Sequence, residues 1–120
     1  MRRVTLEDWP VIQDWFDARG LKVPKLPPTG FLVDGVAACF LTKTDSGVAF
    51  LEAYVTNPVA SPQDRSAAID ALTAQLIREA RNCGFESLIA LTVDPGLCAR
   101  AVERHGFTHV GQKHGLLREL

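Results

Sequence analysis

One tyrosine, one methionine and three cysteines in 120 residues are small numbers, and each scarcity removes a class of protein. Cys39, Cys83 and Cys98 are odd in number and form no Cys-x-x-Cys pair, which argues against a disulfide framework and a zinc site and for a reducing compartment. Neither sign of charge dominates: 13 Lys and Arg stand against 14 Asp and Glu. The cationic excess that phosphate backbones and anionic membranes require is missing, so neither nucleic acid nor a membrane is an expected partner. No run approaches the ~20 apolar residues of a membrane span. Arg2-Arg3 is not followed by the apolar stretch of a leader, and a cytoplasmic protein is expected.

What is present suffices for a core. With 47% hydrophobic residues, the chain reads as a single domain over 1–120. A domain of this size buries roughly two thirds of its unfolded surface. After a short strand over 3–5, Thr5 and Asp8 have the spacing of a helix cap. Leu6, Trp9, Ile12, Trp15 and Phe16 then recur at helical intervals until Gly20, with both tryptophans expected to pack. Pro24, Pro27 and Pro28 exclude a helix or central strand over 21–30, which must be a loop. Strand signals over 31–34, 36–44 and 48–56, separated by Gly35 and by Asp45-Ser46-Gly47, predict an antiparallel meander. In the third strand, strict alternation puts Val48, Phe50, Glu52 and Tyr54 on one face, and Ala49, Leu51, Ala53 and Val55 on the other. Glu52 is then a carboxylate beside two aromatic rings, where burial would raise its pKa toward neutrality.

Ser61-Pro62 opens a long helix with Ile69, Leu72, Leu76, Ile77 and Ala80 as its apolar stripe, ending at Asn82-Cys83-Gly84. Residues 88–93 are almost continuously apolar, as in a strand buried on both faces and paired in parallel across a helical crossover. Asp94-Pro95 starts a shorter helix that runs to His105 and stops at Gly106. Residues 107–113 and 116–120 predict a final hairpin, whose edge could pair in a homodimer. The expected architecture is α/β (α+β): a mixed, twisted sheet of six to seven strands, a meander followed by a β-α-β crossover, with helices on both faces.

Chemistry concentrates at two places, Glu52 and the start of the long helix. N–H groups at a helix start are unpaired and sit at the positive end of its dipole, so an anion can bind there if small residues let it approach. Ser66, Ala67 and Ala68 are small and Arg65 is cationic, whereas Asp64 opposes an anion. His105, His109 and His114 fall close together, but Gly106 breaks the helix between the first two. They are expected to face solvent, and no metal is implied. Cys98 is expected to be a buried free thiol.

The order β-α-β-β-β-α-β-α-β-β resembles the GNAT superfamily of N-acetyltransferases over almost the whole chain. Val55-x-Asn57-Pro58 resembles the strand ending that precedes that family's pyrophosphate loop. Gln63-Asp64-Arg65-Ser66-Ala67-Ala68 resembles its Gln/Arg-x-x-Gly-x-Gly/Ala pattern, with Ser66 in place of glycine, and Arg104-His105-Gly106-Phe107 resembles its Lys-x-Gly-Phe ending. The resemblance implies an acetyl-CoA or other acyl-CoA co-substrate, held between the strand ending at Thr56 and the strand over 88–93. It assigns Gln63, Arg65, Ser66, Ala67 and Ala68 to the pyrophosphate, the main chain of Tyr54 and Val55 to the pantetheine arm, and Glu52 to the general base. It implies direct acyl transfer to a primary amine on a small molecule or a protein, without a covalent enzyme intermediate. Two positions depart from the family: Val102 stands where a proton-donating tyrosine is usual, and the proline loop over 21–30 replaces a helix. A fold-retaining module that binds CoA or a protein partner without transfer is the alternative that these departures suggest.

Overall fold

The chain opens with β1 (Arg2–Arg3), laid antiparallel against β2 (Thr29–Val33). A single 3-10 turn over Leu6–Asp8 leads into α1 (Trp9–Ala18), and the Thr5 N–H donates to Asp8 Oδ2 at 2.7 Å as the cap spacing predicts. The computed structural model describes residues 1–22, 25–92, 94–111, 116, 118 and 120. Ile12, Trp15 and Phe16 are buried, but Leu6 is 94% exposed and Trp9 also reaches the surface. The tighter turn, with three residues per revolution instead of 3.6, swings Leu6 off the apolar stripe that simple periodicity assigned to it.

β2 continues antiparallel to β3 (Ala37–Lys43) and β3 to β4 (Val48–Thr56), giving the predicted meander. Its first turn depends on Gly35 at φ +72°, a conformation that a Cβ would penalise. Then α2 (Pro62–Asn82) crosses over to β5 (Ser87–Ala90), which pairs in parallel with β4, and α3 (Pro95–His105) follows. Spatial order matches chain order, β1-β2-β3-β4-β5. α1 covers one face of the sheet, with Ile12, Trp15 and Phe16 against Leu32, Phe40 and Val55. α2 covers the other, with Leu72, Leu76 and Ala80 against Phe31, Cys39 and Leu51. No helix among the described residues is long and apolar enough to cross a membrane.

Among the described residues the sheet has five strands, not the six to seven expected. Residues 107–111 carry no strand, while 112–115, 117 and 119 lie outside the described residues. The reason is local: Gly106 caps α3 at φ +73°, the Phe107 N–H donates to Ala101 O at 3.1 Å, and the Phe107 ring packs on the α2-side core. The chain at 107 is thus committed to ending α3. β5 also departs from expectation. Among the described residues it is the last strand, and it is only alternately covered, with Leu88 and Ala90 on the α2 side and Ile89 38% exposed, so it is not buried on both faces.

The largest departure from simple alternation is in β4. Ala38 pairs with Val55 but Phe40 pairs with Glu52, so β4 carries one more residue than β3 over this stretch. Ala53 has φ +57°, the left-handed conformation of a β-bulge residue. Before the bulge Ala49 and Leu51 face α2; after it Tyr54 faces α2 while Val55 faces α1. Tyr54 and Glu52 are therefore on opposite faces, so Glu52 loses the expected Tyr54 ring and shares its face with Phe50 and, across the ladder, Phe40. Ala53→Gly should stabilise the fold by roughly 0.5–1 kcal/mol, since glycine adopts this conformation without a Cβ penalty and offsets that gain only in part through unfolded-state entropy. Urea unfolding would measure it, and a loss of stability would contradict the assigned bulge.

Candidate functional site

β4 and β5 pair from Val48↔Ser87 to Leu51↔Ala90 and then part. The next residues are Glu52, Ala53 and, on the other strand, Leu91, all of which line a cleft of about 420 Å³. Phe16 from α1, Leu26 and Phe50 supply apolar walls, and Lys22 and Lys25 bring two cations from the segment after α1. The bulge residue Ala53 lies two positions past the last β4–β5 pair and lines this cleft, where a bulge bends and twists its strand. Glu52 itself is exposed, which corrects the expected burial: its carboxylate meets water and the cleft, not a desolvated aromatic pocket. Arg19, just past α1, donates through Nε to Thr56 O at 3.2 Å and ties the end of the helix to the end of β4.

Tyr54 turns away from this cleft. Its hydroxyl lies 2.5 Å from Thr73 Oγ1, and Thr73 donates its own proton to Ile69 O at 2.8 Å, so the phenol is the donor in the first contact. Burial pushes the Tyr54 phenol far above its ordinary range, and burial does the same to the neighbouring Cys39 thiol. Neither group exchanges protons near neutrality. Val55 is 3% exposed under α1, so what Tyr54 and Val55 offer a ligand is main chain, along an edge of β4 that β5 no longer pairs.

At the start of α2, Ser61 caps the helix as predicted: its Oγ accepts from Asp64 N at 3.0 Å. Ser61 O accepts the Arg65 N–H at 3.0 Å, and Pro62 has no N–H to give. Of the first-turn donors the Gln63 N–H is left over, since Ser66, Ala67 and Ala68 lie far enough into the helix to bond within it. Gln63, Ser66 and Ala67 line an open groove of about 540 Å³ together with Pro62 and Asp70. The geometry brings these three predicted residues together but not Arg65 or Ala68: Arg65 does not line the groove, and Ala68 is 4% exposed against the sheet.

Asp70, one turn further on, gathers three side chains from α3. Arg100 Nη1 approaches Asp70 Oδ1 at 3.0 Å, Arg104 Nη1 approaches Oδ2 at 2.8 Å and His105 Nε2 lies 2.9 Å from Oδ1. Arg100 also donates to Ser66 O at 3.2 Å. His105 is therefore a packed helix-helix contact, with only 10% of its side chain exposed, and not the solvent-facing residue expected. His109 is exposed, and His114 lies outside the described residues. Partial desolvation works against the Asp70 charge, but the hydrogen bonds from His105, Arg100 and Arg104 outweigh it and hold the carboxyl at about 2, against an ordinary 3.8. A folded-state pKa below the unfolded one means stability that is complete above pH ~4 and lost as pH falls toward 2. Discounted for solvent screening, the network should contribute roughly 1–2 kcal/mol. Urea unfolding at pH 5 and pH 2.5 should show the gap between wild type and Asp70→Asn shrinking by about two thirds of that amount.

Cys98 is half-buried on α3, and Val102 is 41% exposed there. Among the described residues no three His, Cys, Asp or Glu side chains gather as a metal site. Sequence reasoning missed Asp70, Arg100, Arg104, Lys22 and Lys25. The Arg100, Arg104 and His105 stripe was detectable as a basic face at helical spacing, whereas nothing local announces that the proline-rich segment lines the same cleft as Glu52 with lysines.

No protein-family model matches the chain, and no curated protein matches it by sequence. Among solved structures, a protein of Agrobacterium tumefaciens str. C58, provisionally described as an acetyltransferase, superposes with a TM-score of 0.69 at 17% identity, covering 98% of each chain. An acetyltransferase of Trypanosoma brucei gives 0.68 at 16% identity, over 98% of this chain and 97% of that one. The aminoglycoside N-acetyltransferase AAC(6')-Iy in complex with CoA gives 0.58 at 18% identity, over 99% and 98%. At such identities the likeness is one of fold.

Proposed function

We propose that this chain, which has the fold of GNAT-type acetyltransferases, is an acyl-CoA-dependent N-acyltransferase acting on a primary amine. The observation that carries the reading is the parting of β4 from β5 after Leu51, which sets a carboxylate at the head of a cleft and leaves the β4 edge unpaired beyond it. An unpaired strand edge presents N–H and C=O groups in a row, which suits the amide-bearing pantetheine arm, and Tyr54 and Val55 would hold it through main chain. Gln63, Ser66 and Ala67 would meet the diphosphate in the groove at the start of α2. There the Gln63 N–H and the Ser66 hydroxyl are the available donors, so this site relies less on main-chain donors than the resemblance implied.

Glu52 would take the proton that the ammonium form of the acceptor must lose before its nitrogen can attack the thioester carbonyl. The C–N bond forms as the C–S bond breaks, and the sulfur leaves as a thiolate. A thiol of pKa ~8.5 is a tolerable leaving group, so water can supply its proton in the absence of a tyrosine at Val102. Calorimetric titration with CoA and acetyl-CoA tests the reading. Both should bind, Ser66→Asp should weaken them about tenfold by setting negative charge against the phosphates, and Ser66→Gly should bind at least as well as wild type. No binding of either molecule would overturn the proposal, and equal affinities in the two variants would remove the diphosphate from the α2 groove.

A further inference from the structure

We infer that the acceptor is a small primary amine that carries an anionic group and an apolar body, an α-amino acid with an aliphatic or aromatic side chain being the simplest case. The inference rests on acyl transfer at the Glu52 cleft and adds what that cleft selects. Its walls are apolar, with Phe16 and Leu26 on one side and Phe50 and Leu91 near the parted strands. Among the described residues its charged groups are three, the Glu52 carboxylate and the ammonium groups of Lys22 and Lys25, all on exposed side chains.

This arrangement of charges discriminates between amines. A polyamine or an aminoglycoside brings several ammonium groups, of which Glu52 can neutralise one while the others meet two lysines of like sign. A zwitterion satisfies both signs at once, its ammonium at Glu52 and its carboxylate at a lysine. An apolar side chain then removes the cleft's aromatic and aliphatic surface from water. The volume of about 420 Å³ is that of a metabolite site, lined mainly by apolar groups with a few polar ones to set orientation. In the reaction the amino nitrogen gives up one proton to Glu52 and attacks the acyl carbonyl. The C–N bond forms, the C–S bond breaks with its electron pair going to sulfur, the nitrogen releases a second proton to water, and the thiolate takes one up. The products are an N-acyl amino acid and free CoA.

The test follows acetyl-CoA consumption with L-leucine, L-leucinamide and spermidine as acceptors, alongside calorimetric binding of CoA. Leucine should be preferred to leucinamide by about tenfold in kcat/KM, equivalent to ~1.4 kcal/mol, since the amide keeps the body and the amine but not the charge. Spermidine should be the poorest acceptor. Lys22→Glu combined with Lys25→Glu alters two exposed side chains, so the fold should persist, and it should reverse the order of leucine and spermidine while leaving CoA affinity unchanged. Equal use of leucine and leucinamide, or a preference for spermidine in the wild type, would overturn the acceptor class while leaving acyl transfer standing. Transfer to none of the three, with CoA failing to bind, would overturn both. Transfer to none of them with CoA bound would overturn the acceptor class alone.

Discussion

Glu52→Gln should lower turnover by roughly 10²–10⁴ while leaving CoA affinity within about twofold of wild type. The substitution preserves size and hydrogen-bonding capacity and removes only the ability to accept a proton. Glu52 is exposed and its side chain lies on the α1 face, away from the α2 core, so the folded state has little to lose. The diphosphate groove at the start of α2 belongs to a different element, which is why binding and turnover should separate. The measurement is steady-state acetyl transfer to the best acceptor, with calorimetric CoA affinity beside it. Undiminished turnover at neutral pH would assign Glu52 to a purely structural place on β4.

Gly30→Ala is expected to cost about 2–3 kcal/mol of folding stability, a large share of the ~5–15 kcal/mol typical of a domain. A Cβ built at Gly30 falls 2.4 Å from Phe40 Cδ1 and 2.5 Å from Cε1, distances that real carbon atoms do not tolerate. The ring has nowhere to retreat. Phe40 is 2% exposed and belongs to the α1-side cluster with Ile12, Trp15, Phe16 and Val55, so relief of the clash must displace α1 or bend β2. Phe40 also lies directly across from Glu52, and the same displacement should therefore raise KM for the acceptor. Urea unfolding should show a lower midpoint with an unchanged slope. Phe40→Leu, which trims the ring, should recover part of the loss in the double variant, giving a coupling above about 0.5 kcal/mol. A stability change under 0.5 kcal/mol would mean that the ring moves freely and that the packing of glycine under Phe40 is incidental.

Local chemistry written in the sequence determined most of the element boundaries. Ser61 and Asp94 cap α2 and α3 because their side-chain oxygens reach N–H groups two or three residues on, and Gly106 ends α3 because it alone there adopts φ +73° without strain. The β4 limits, the antiparallel meander and the parallel return through α2 were likewise readable, since each depends on turn residues and on the period of apolar side chains over a few positions. The order of elements was enough to suggest the GNAT fold that the solved structures share. What the tertiary structure alone decided are the properties that depend on partners distant in the chain. Whether β4 alternates strictly or carries a bulge depends on its register against β3, and no residue in β4 announces that Ala53 will take a left-handed conformation. That one insertion sent Tyr54 to the α2 face, where its hydroxyl meets Thr73, and away from the face that Glu52 and Phe50 share. The meeting of Asp70 with Arg100, Arg104 and His105 depends on how α3 lies on α2, since these partners stand 30 to 35 residues from Asp70 in sequence. Backbone preferences are local and short-ranged, so a sequence displays them directly. Register, helix docking and the charge that lines a cleft are set by sums of long-range contacts, each too weak to leave a mark on any single stretch of the chain.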